Sequence, residues 1–404
     1  MELEGDTDDP TFGCNRIRGL SLTDGDRLLY QADPGIEDPE RIVGSEVEPS
    51  FAPSRSGGPA TATPSLPVSE LVPIFRSAVL KTKKLHPDAT IKMRWAGFDQ
   101  RIRVARPERE VVVDRRWSGR LRIEARSRSS EALAVAEAVF PPDKLDETGI
   151  PESLAEEVAA RLERRAGATS LPPGERRVVF APGVGGVLIH EIVGHALEAD
   201  TVSSEMSWLA GAGDRVAAGE LRVVDDPRRG RAPWRYDDEG EEARPTPLID
   251  RGRVAGQLHD LASAVRSGSR PTGHGRRASF REPVKPRMGC TFVAPGPLHP
   301  QEVLKEIGDG IYVRRMEAAS TDPLSGRAVF RVTDSDHIHA GRLDAPLVPH
   351  LMHVDARATL PNVELIASDL AFDRCIGSCL RDGQPLVISV GGPTFCIGLT
   401  TVLF

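Results

Sequence analysis

The sequence feature that most constrains the fold is an almost wholly apolar segment, residues 187–200, which reads VLIHEIVGHALEAD. The apolar run predicts a buried helix, yet His190, Glu191 and His195 fall inside it. Burying such polar groups costs free energy unless they find partners, and a metal ion would supply those partners. The segment therefore predicts a metal site on a buried helix.

The spacing of the two histidines conflicts with a regular helix. Zinc peptidase helices usually carry their histidines four residues apart, whereas His190 and His195 are five apart. In an α-helix this separation turns the two side chains about 140° away from each other. A π-bulge adds one residue to a turn and restores the alignment, and Gly194 offers backbone freedom at the right place. We therefore predict a locally widened helix between His190 and His195.

Glu191 follows the first histidine directly, where it is placed to take a proton from an attacking water. A second geometry stays open, because Glu191 and His195 are four residues apart and an undistorted helix would put them on one face, with Glu198 three residues further on. In that case Glu191 would be a ligand and His190 would be free. The alternative without a metal is an amphipathic helix on which these are capping and surface residues.

A third ligand has to come from another part of the chain. Cys379, in the segment CIGSCLRDGQP (375–385), is the best candidate because Gly and Asp place it in a loop between apolar runs, and Cys375 is second. We interpret Cys290 and Cys396 as small buried side chains.

His337 and His339 in DSDHIHAG (334–341) form a rival metal-binding pair. They would share one face of a strand. The neighbouring Asp and Gly residues favour an exposed turn instead, which makes this pair the weaker candidate.

Charge and cysteine content exclude several classes of protein. The chain of 404 residues has a net charge of -7, which disfavours a nucleic-acid-binding face. Its five cysteines are irregularly spaced, which favours a reducing compartment, and the acidic start MELEGDTDDP is no secretory signal. The uncharged stretch 385–404 is interrupted by a Gly-Gly-Pro turn, so we predict two buried strands and no membrane span. We expect a cytoplasmic protein.

The chain is long enough for two domains and predicts an α+β fold class. We expect an irregular N-terminal segment over 1–67 and an α+β domain over 68–167, then a β-rich domain over 175–404 that carries the metal-binding helix. Within 68–167 the patterns predict a helix near Ser69, and helices over 130–139 and 152–165. Between them, an antiparallel meander of four short strands is expected at 90–95, 101–105, 110–114 and 120–125.

Several separated segments resemble the TldD/PmbA metallopeptidases. HEIVGHALEAD resembles the family's His-Glu-x-x-Gly-His helix, and VVDDP, YDDEG, LID, GQLHD, TGHGRRASF and PRM follow in the family's order. The ending GSCLRDGQPLVISVGGPTF resembles the family's terminal Cys-containing loop and strand pair. The likeness spans about 175–404. Within it, FRVTDSDHIHAGRLDAP departs from the family's usual glycine-and-aromatic run, which indicates an altered substrate wall.

The resemblance implies zinc bound by His190, His195 and Cys379, with Glu191 as catalytic base. It also implies cleavage of small or unfolded peptides by a homodimer, or by a heterodimer with a homologous PmbA/TldE-like subunit. We expect a zinc metallopeptidase. The alternatives are an amide hydrolase in a small-molecule (natural-product) pathway and a non-catalytic companion or scaffold subunit, including a modulator of a DNA-acting enzyme.

Overall fold

The structure, a computed structural model, describes residues 11–23, 27–31, 68–104, 110–130, 132–140, 149–213, 215–279, 281–374 and 377–404. The chain divides into two units, residues 1–166 and 167–404. Among the described residues, no helix combines the length and the apolar composition needed to cross a bilayer.

The first unit is an antiparallel sheet with two helices. Its elements are β1 (Thr11–Thr23), β2 (Arg27–Gln31), α1 (Val68–Leu85), β3 (Ala89–Val104), β4 (Val112–Ser127), β5 (Leu133–Phe140) and α2 (Ile150–Ala166). The strand order is β2-β1-β3-β4-β5. Both helices bury apolar side chains against the sheet, as shown by the cluster that joins Phe75 of α1 and Leu154 of α2 to Met93 and Ile123.

Two sequence-based expectations for this unit are wrong. Residues 1–67 are not irregular throughout, because β1 and β2 pair with each other and β1 pairs with β3. The helix expected over 130–139 is strand β5, in which Ala134, Ala136 and Ala138 alternate onto the buried face. Alanine favours a helix when it is considered alone, but here its small side chain lets the helices approach the sheet.

The remaining expectations for this unit are closer to the structure. The helices expected near Ser69 and over 152–165 are present as α1 and α2. The four short strands are instead halves of two long ones, β3 and β4, which pair along their whole length.

The second unit contains all the other elements. They are β6 (Gly174–Phe180), α3 (Gly185–Ile189), a π-helical turn (His190–Gly194), a 3-10 turn (His195–Leu197), α4 (Ala199–Ser203), β7 (Val223–Asp225), β8 (Thr246–Asp250), β9 (Arg253–Val254), α5 (Leu261–Ser267), β10 (Gly275–Arg276), β11 (Lys285–Pro286), β12 (Cys290–Val293), α6 (Pro300–Ile307), β13 (Gly310–Asp322), β14 (Arg327–His339), β15 (Arg342–Pro346), β16 (His350–Asp355), α7 (Ala356–Thr359), a 3-10 turn (Leu360–Asn362), β17 (Val363–Ile366), β18 (Ala371–Phe372), β19 (Gly377–Arg381), β20 (Gln384–Gly392) and β21 (Phe395–Leu403).

Two seven-stranded sheets and a small β10-β11 pair make up the β structure of this unit. One sheet has the order β18-β20-β12-β7-β8-β9, with β19 also paired to β20. The other has the order β13-β6-β21-β16-β14-β15, with β17 also paired to β21. Since β14 pairs with both β13 and β16, the strands β13, β6, β21, β16 and β14 form a closed ring.

The C-terminal stretch 385–404 forms two largely buried strands, as expected, but they belong to different sheets. β20 lies in the first sheet and β21 in the second, with the turn around Pro393 between them. Helix α3 lies close against β20, because a side chain at Gly186 would come within 2.4 Å of the backbone nitrogen of Gly391. This packing brings the helix beside β19, the partner of β20.

Candidate metal centre

The segment that carries the two histidines is wound as a π-helix. The backbone N–H of His195 donates to the carbonyl of His190, five residues earlier, which is the hydrogen bond that defines a π-turn. The predicted widening of the helix is therefore confirmed, and the undistorted alternative is wrong. The extra residue brings the two imidazole rings together, with centroids 4.9 Å apart and planes at 78°.

Packing from outside the helix accommodates the wide turn. The indole Nε1 of Trp208 donates to the carbonyl of Ile192 at 2.7 Å. Met288 lies against Gly194 so closely that a Cβ there would stand 1.9 Å from its sulfur. Leu188, Ile189 and other apolar side chains of the segment are fully buried in the main core of this unit. The π-turn is thus enclosed by neighbours that leave no room for a side chain at Gly194.

The third candidate ligand, Cys379, lies on strand β19 and not in the expected loop, and it reaches the same point. Its sulfur is 3.3 Å from Nε2 of His195, and one potential ligand atom from each of His190, His195 and Cys379 lies within 4.8 Å of the others. Within the described residues, this trio is the one cluster of three or more His, Cys, Asp or Glu side chains with metal-binding geometry.

A buried carboxylate orients His195. Glu198 is fully buried, and its Oε2 accepts a hydrogen bond from Nδ1 of His195 at 3.0 Å. This contact leaves Nε2 pointing toward Cys379. A carboxylate behind a histidine is the usual support of a metal-ligating imidazole, since it selects the tautomer and the ring orientation.

Two arginines connect Glu198 to the strand that carries the cysteine. Arg381, two residues after Cys379, donates to Oε2 of Glu198 at 2.8 Å and to both oxygens of Asp200. Arg287 places its Nε 3.7 Å from Oε1 of Glu198 and donates from Nη2 to the carbonyl of Cys379 at 2.8 Å. The helix and β19 are therefore joined by charge-assisted contacts as well as by apolar packing.

The two histidines differ in their protonation behaviour. Burial holds the pKa of His190 well below its ordinary value, and the charges of His195 and Arg287 act in the same direction. Burial also lowers the pKa of His195, but Glu198 and Cys379 together outweigh it, so that pKa lies well above its ordinary value. The lowered pKa favours the neutral form of His190, which is the form that ligates a metal.

Glu191 lies beside the trio, and a residue that is distant in sequence hydrogen-bonds to its carboxylate. Its Oε2 lies 3.9 Å from Nε2 of His195 and accepts a hydrogen bond from the Thr321 hydroxyl at 2.8 Å. The side chain is 16% exposed, so solvent reaches it. A carboxylate in this position, next to a metal trio and open to water, can accept a proton from a water molecule there.

These residues fit a zinc ion. Two imidazoles and a thiolate that leave a fourth position open are typical of catalytic zinc sites. His190 is 3% exposed, and its Nδ1 is buried without a hydrogen-bond partner among the described residues. Such an orphaned polar atom is costly in a buried site, and a metal site is one setting that accounts for it.

The other sequence candidates lie elsewhere. His337 and His339 are on strand β14, not in an exposed turn, and they stack on each other while facing Asp344 and Asp309 respectively. They take no part in the metal-binding trio. Cys290 and Cys396 are buried as expected, and burial raises the pKa of the Cys396 thiol to about 12. Cys375 lies outside the described residues.

Sequence reasoning missed most of the residues around the trio. Glu198 carried a local signal, since it follows His195 by three residues on a helical segment. Arg287 lies in the PRM segment that resembles the family but had no predicted role, and Thr321 and Trp208 carried no signal, because all three reach the site from distant elements.

Comparison with known proteins identifies the family of this chain. The profile of the PmbA/TldA metallopeptidase C-terminal domain matches residues 173–402. The chain therefore belongs to the TldD/PmbA metallopeptidase family.

Curated relatives of this chain carry metalloprotease names, in agreement with the family. A metalloprotease of Methanothermobacter thermautotrophicus is 32% identical over 256 residues, covering 61% of this chain and 56% of the relative. A zinc metalloprotease TldD homolog of Saccharolobus solfataricus is 30% identical over 224 residues, covering 54% of this chain and 49% of the relative. The matched part thus spans about half the length of these relatives.

Solved structures share the fold over nearly the whole chain. A putative modulator of a DNA gyrase from Thermotoga maritima has a TM-score of 0.71 at 17% identity, covering 97% of this chain and 95% of that one. TldE from Thermococcus kodakarensis has a TM-score of 0.70 at 15% identity, covering 98% and 96%. These likenesses extend the shared fold to the N-terminal unit.

Proposed function

We propose that this chain is a zinc-dependent peptidase in which His190, His195 and Cys379 hold the metal and Glu191 is the general base. The observation that carries the proposal is the convergence of the three ligand side chains, two from a π-turn and one from β19. The names of the curated relatives support a metal-dependent hydrolase. The contact of Glu198 with His195 is the one expected behind a metal-ligating histidine.

The residues divide the chemistry between them. Bound zinc supplies Lewis-acid polarisation of the scissile carbonyl and acidifies water. Glu191 accepts the proton of the attacking water and then delivers it to the nitrogen of the leaving amine, so that the proton balance closes within one turnover. Glu198 keeps His195 in the tautomer that presents Nε2, and Arg381 holds Glu198 in place.

The proposed substrate is a small or unfolded peptide. His190 and Cys379 are 3% and 8% exposed, so a reacting amide must enter a largely buried site. An extended chain is thin enough to do so, whereas the surface of a folded protein is not. By its family resemblance, the working form is proposed to be a homodimer or a heterodimer with a PmbA/TldE-like subunit.

Two other functions remain as candidates. An amide hydrolase of a natural-product pathway would use the same residues on a peptide-like substrate. The names TldE and putative gyrase modulator, carried by two solved structures of the same fold, support a non-catalytic companion role as the second candidate. The complete set of ligands and base in this chain favours the catalytic role.

The test is mass spectrometry of an unfolded peptide pool incubated with the zinc-loaded protein, alone and with a homologous subunit. We expect new peptide termini with the wild type. Glu191→Gln keeps the shape of the side chain but accepts no proton, so turnover should fall roughly 10²- to 10⁴-fold while zinc is retained. Undiminished turnover of that variant would mean that another group activates water, and no cleavage by the wild type in either mixture would favour the companion role.

A further inference from the structure

One side chain outside the metal trio contacts the proposed base directly. Thr321, the penultimate residue of β13, donates its hydroxyl to Oε2 of Glu191 at 2.8 Å. The two residues are 130 positions apart in sequence. Thr321 is half-buried and lies opposite Ala328 in the β13–β14 hairpin. The contact therefore links the turn end of this hairpin to the π-turn.

Trp208 hydrogen-bonds to both of the segments that this contact joins. Its backbone N–H donates to the carbonyl of Pro323 at 2.8 Å, in the hairpin turn. Its indole donates to the carbonyl of Ile192 at 2.7 Å, in the π-turn. The hairpin turn also lies close to the indole, since a side chain at Gly326 would come within 2.9 Å of it. One buried residue thus fixes the distance between the segment of Thr321 and the segment of Glu191.

A general base works only when its oxygen is aimed at the proton that it removes, and small errors in placing can cost about 100-fold in rate. A carboxylate on a flexible side chain rotates unless one oxygen is held. The Thr321 hydroxyl holds Oε2 of Glu191, the oxygen that lies 3.9 Å from Nε2 of His195, and so fixes the orientation of the carboxylate beside the trio. A hydrogen bond to a charged acceptor is also stronger than one between neutral groups, which suits a positioning role.

We propose that Thr321 is a positioning residue for the general base Glu191, an inference that rests on the proposed peptidase function. Thr321 hydrogen-bonds to Glu191 and contributes no ligand atom to the trio. Its hydroxyl acts through Glu191 by selecting one orientation of the carboxylate.

The experiment compares Thr321→Val, which keeps the shape but removes the hydroxyl, with Thr321→Ser, which keeps the hydroxyl. Ser320→Ala, at the exposed preceding position of the same strand, is the matched control. The substrate is the peptide that the wild type cleaves fastest in an unfolded pool. We expect Thr321→Val to lower kcat about 10- to 100-fold with little change in KM, zinc content or Tm. Thr321→Ser should lie within about threefold of the wild type, as should Ser320→Ala.

An unchanged kcat in Thr321→Val would overturn the proposal, and so would a serine variant as impaired as the valine variant. A loss of kcat that is matched by a loss of zinc would assign Thr321 to the architecture of the site instead.

Crystal structures of the wild type and Thr321→Val separate this inference from the peptidase proposal. If the wild type cleaves no peptide, the peptidase proposal fails, but the structures still report the orientation of Glu191. The inference predicts a rotated or disordered Glu191 carboxylate in the valine variant, and an unmoved carboxylate would refute it.

Discussion

Glu198 links three residues around the candidate metal centre, because its carboxylate contacts His195, Arg381 and Arg287. All three contacts are made by a side chain with no exposed surface. Buried charges of this kind are stable only as a complete set, since removing one partner leaves the others unsatisfied. Glu198 therefore orients His195 and also holds β19, through Arg381, against the helical segment.

We predict that Glu198→Gln weakens zinc binding by about 10- to 100-fold, the usual effect of removing a carboxylate behind a ligating histidine. The amide can still fill the space, but it carries no charge to orient the imidazole and balance the arginines. Competition with a chromophoric chelator measures the affinity. Asp200→Asn is the matched control, because Asp200 contacts Arg381 at 2.9 Å but makes no contact with His195. Equal zinc affinity in the Glu198 variant and the wild type would remove Glu198 from the support of the site.

The residues of the trio could be predicted from the sequence, and the reasons are local. Two histidines and a glutamate in an apolar helix are costly unless partnered, so their presence in such a segment indicates a site. The choice of Cys379 over the other cysteines came from its Gly- and Asp-containing surroundings and from family resemblance. The contacts of Thr321 and Arg287 could not be predicted, since no local pattern tells which distant strand will face the helix.

At the scale of elements, the π-turn is the feature on which the site depends. Its backbone is fitted to Met288, whose sulfur occupies the place that a side chain at Gly194 would take. An α-helical turn in the same place would point the two imidazoles apart by about 140°. Packing against Met288 and the hydrogen bond from Trp208 both favour the wider turn.

We predict that Gly194→Ala destabilises the protein by about 1–3 kcal/mol through overpacking and lowers its zinc content. The added methyl group would stand 1.9 Å from the sulfur of Met288, so one of the two segments must move. Urea denaturation and elemental analysis measure the two effects. Combining it with Met288→Ala should recover part of the lost stability, because the two changes meet at one contact and are not additive. Wild-type stability and zinc content in the single variant would contradict this account of the turn.

Strand β5 shows where element prediction failed. The sequence LAVAEAVF contains enough alanine to resemble a helix, and alanine is the best helix former when neighbours are ignored. Alternation of small residues onto one face matters more, because that face must fit beneath the helices of the N-terminal unit. Tertiary packing thus overrode local propensity, whereas α1 and α2 were predicted correctly because their apolar spacing and their packing agree.

At the scale of the whole molecule, the long-range pairing of strands was beyond sequence patterns. The last two strands look like a hairpin, yet β20 pairs with β12, β18 and β19 while β21 pairs with β6, β16 and β17. This division matters for the site, because β20 lies against α3 and pairs with β19, the strand that carries Cys379. A pattern of alternating residues identifies a strand but carries no information about its partner.

We predict that the enzyme discriminates against folded substrates. A disulfide-bonded globular protein and its reduced, alkylated form, at equal concentration, provide the matched pair. Because only the unfolded fraction can enter a buried centre, the folded form should be cut at roughly a thousandth of the rate or less. Quantitative mass spectrometry follows both digests.

The same prediction includes an obligatory dimer around an enclosed cavity, with either a second copy or a homologous subunit. A monomeric fraction isolated by size exclusion should be inactive and should regain activity when the dimer reforms. Equal cleavage of the folded and unfolded forms, or full activity from the monomer, would contradict this prediction.

The most direct test of the account is X-ray absorption spectroscopy of the zinc-loaded protein, beside Cys379→Ala and the control Cys290→Ala. Cys290 is a second fully buried thiol, and burial raises its pKa well above the ordinary range, so it controls for loss of a buried cysteine. The account predicts one sulfur at about 2.3 Å and two imidazole nitrogens at about 2.0–2.1 Å in the wild type. The same spectrum should appear in Cys290→Ala, and the sulfur should be lost, with most of the tightly bound zinc, in Cys379→Ala. A wild-type spectrum without sulfur, or an unchanged spectrum in Cys379→Ala, would contradict the proposed centre.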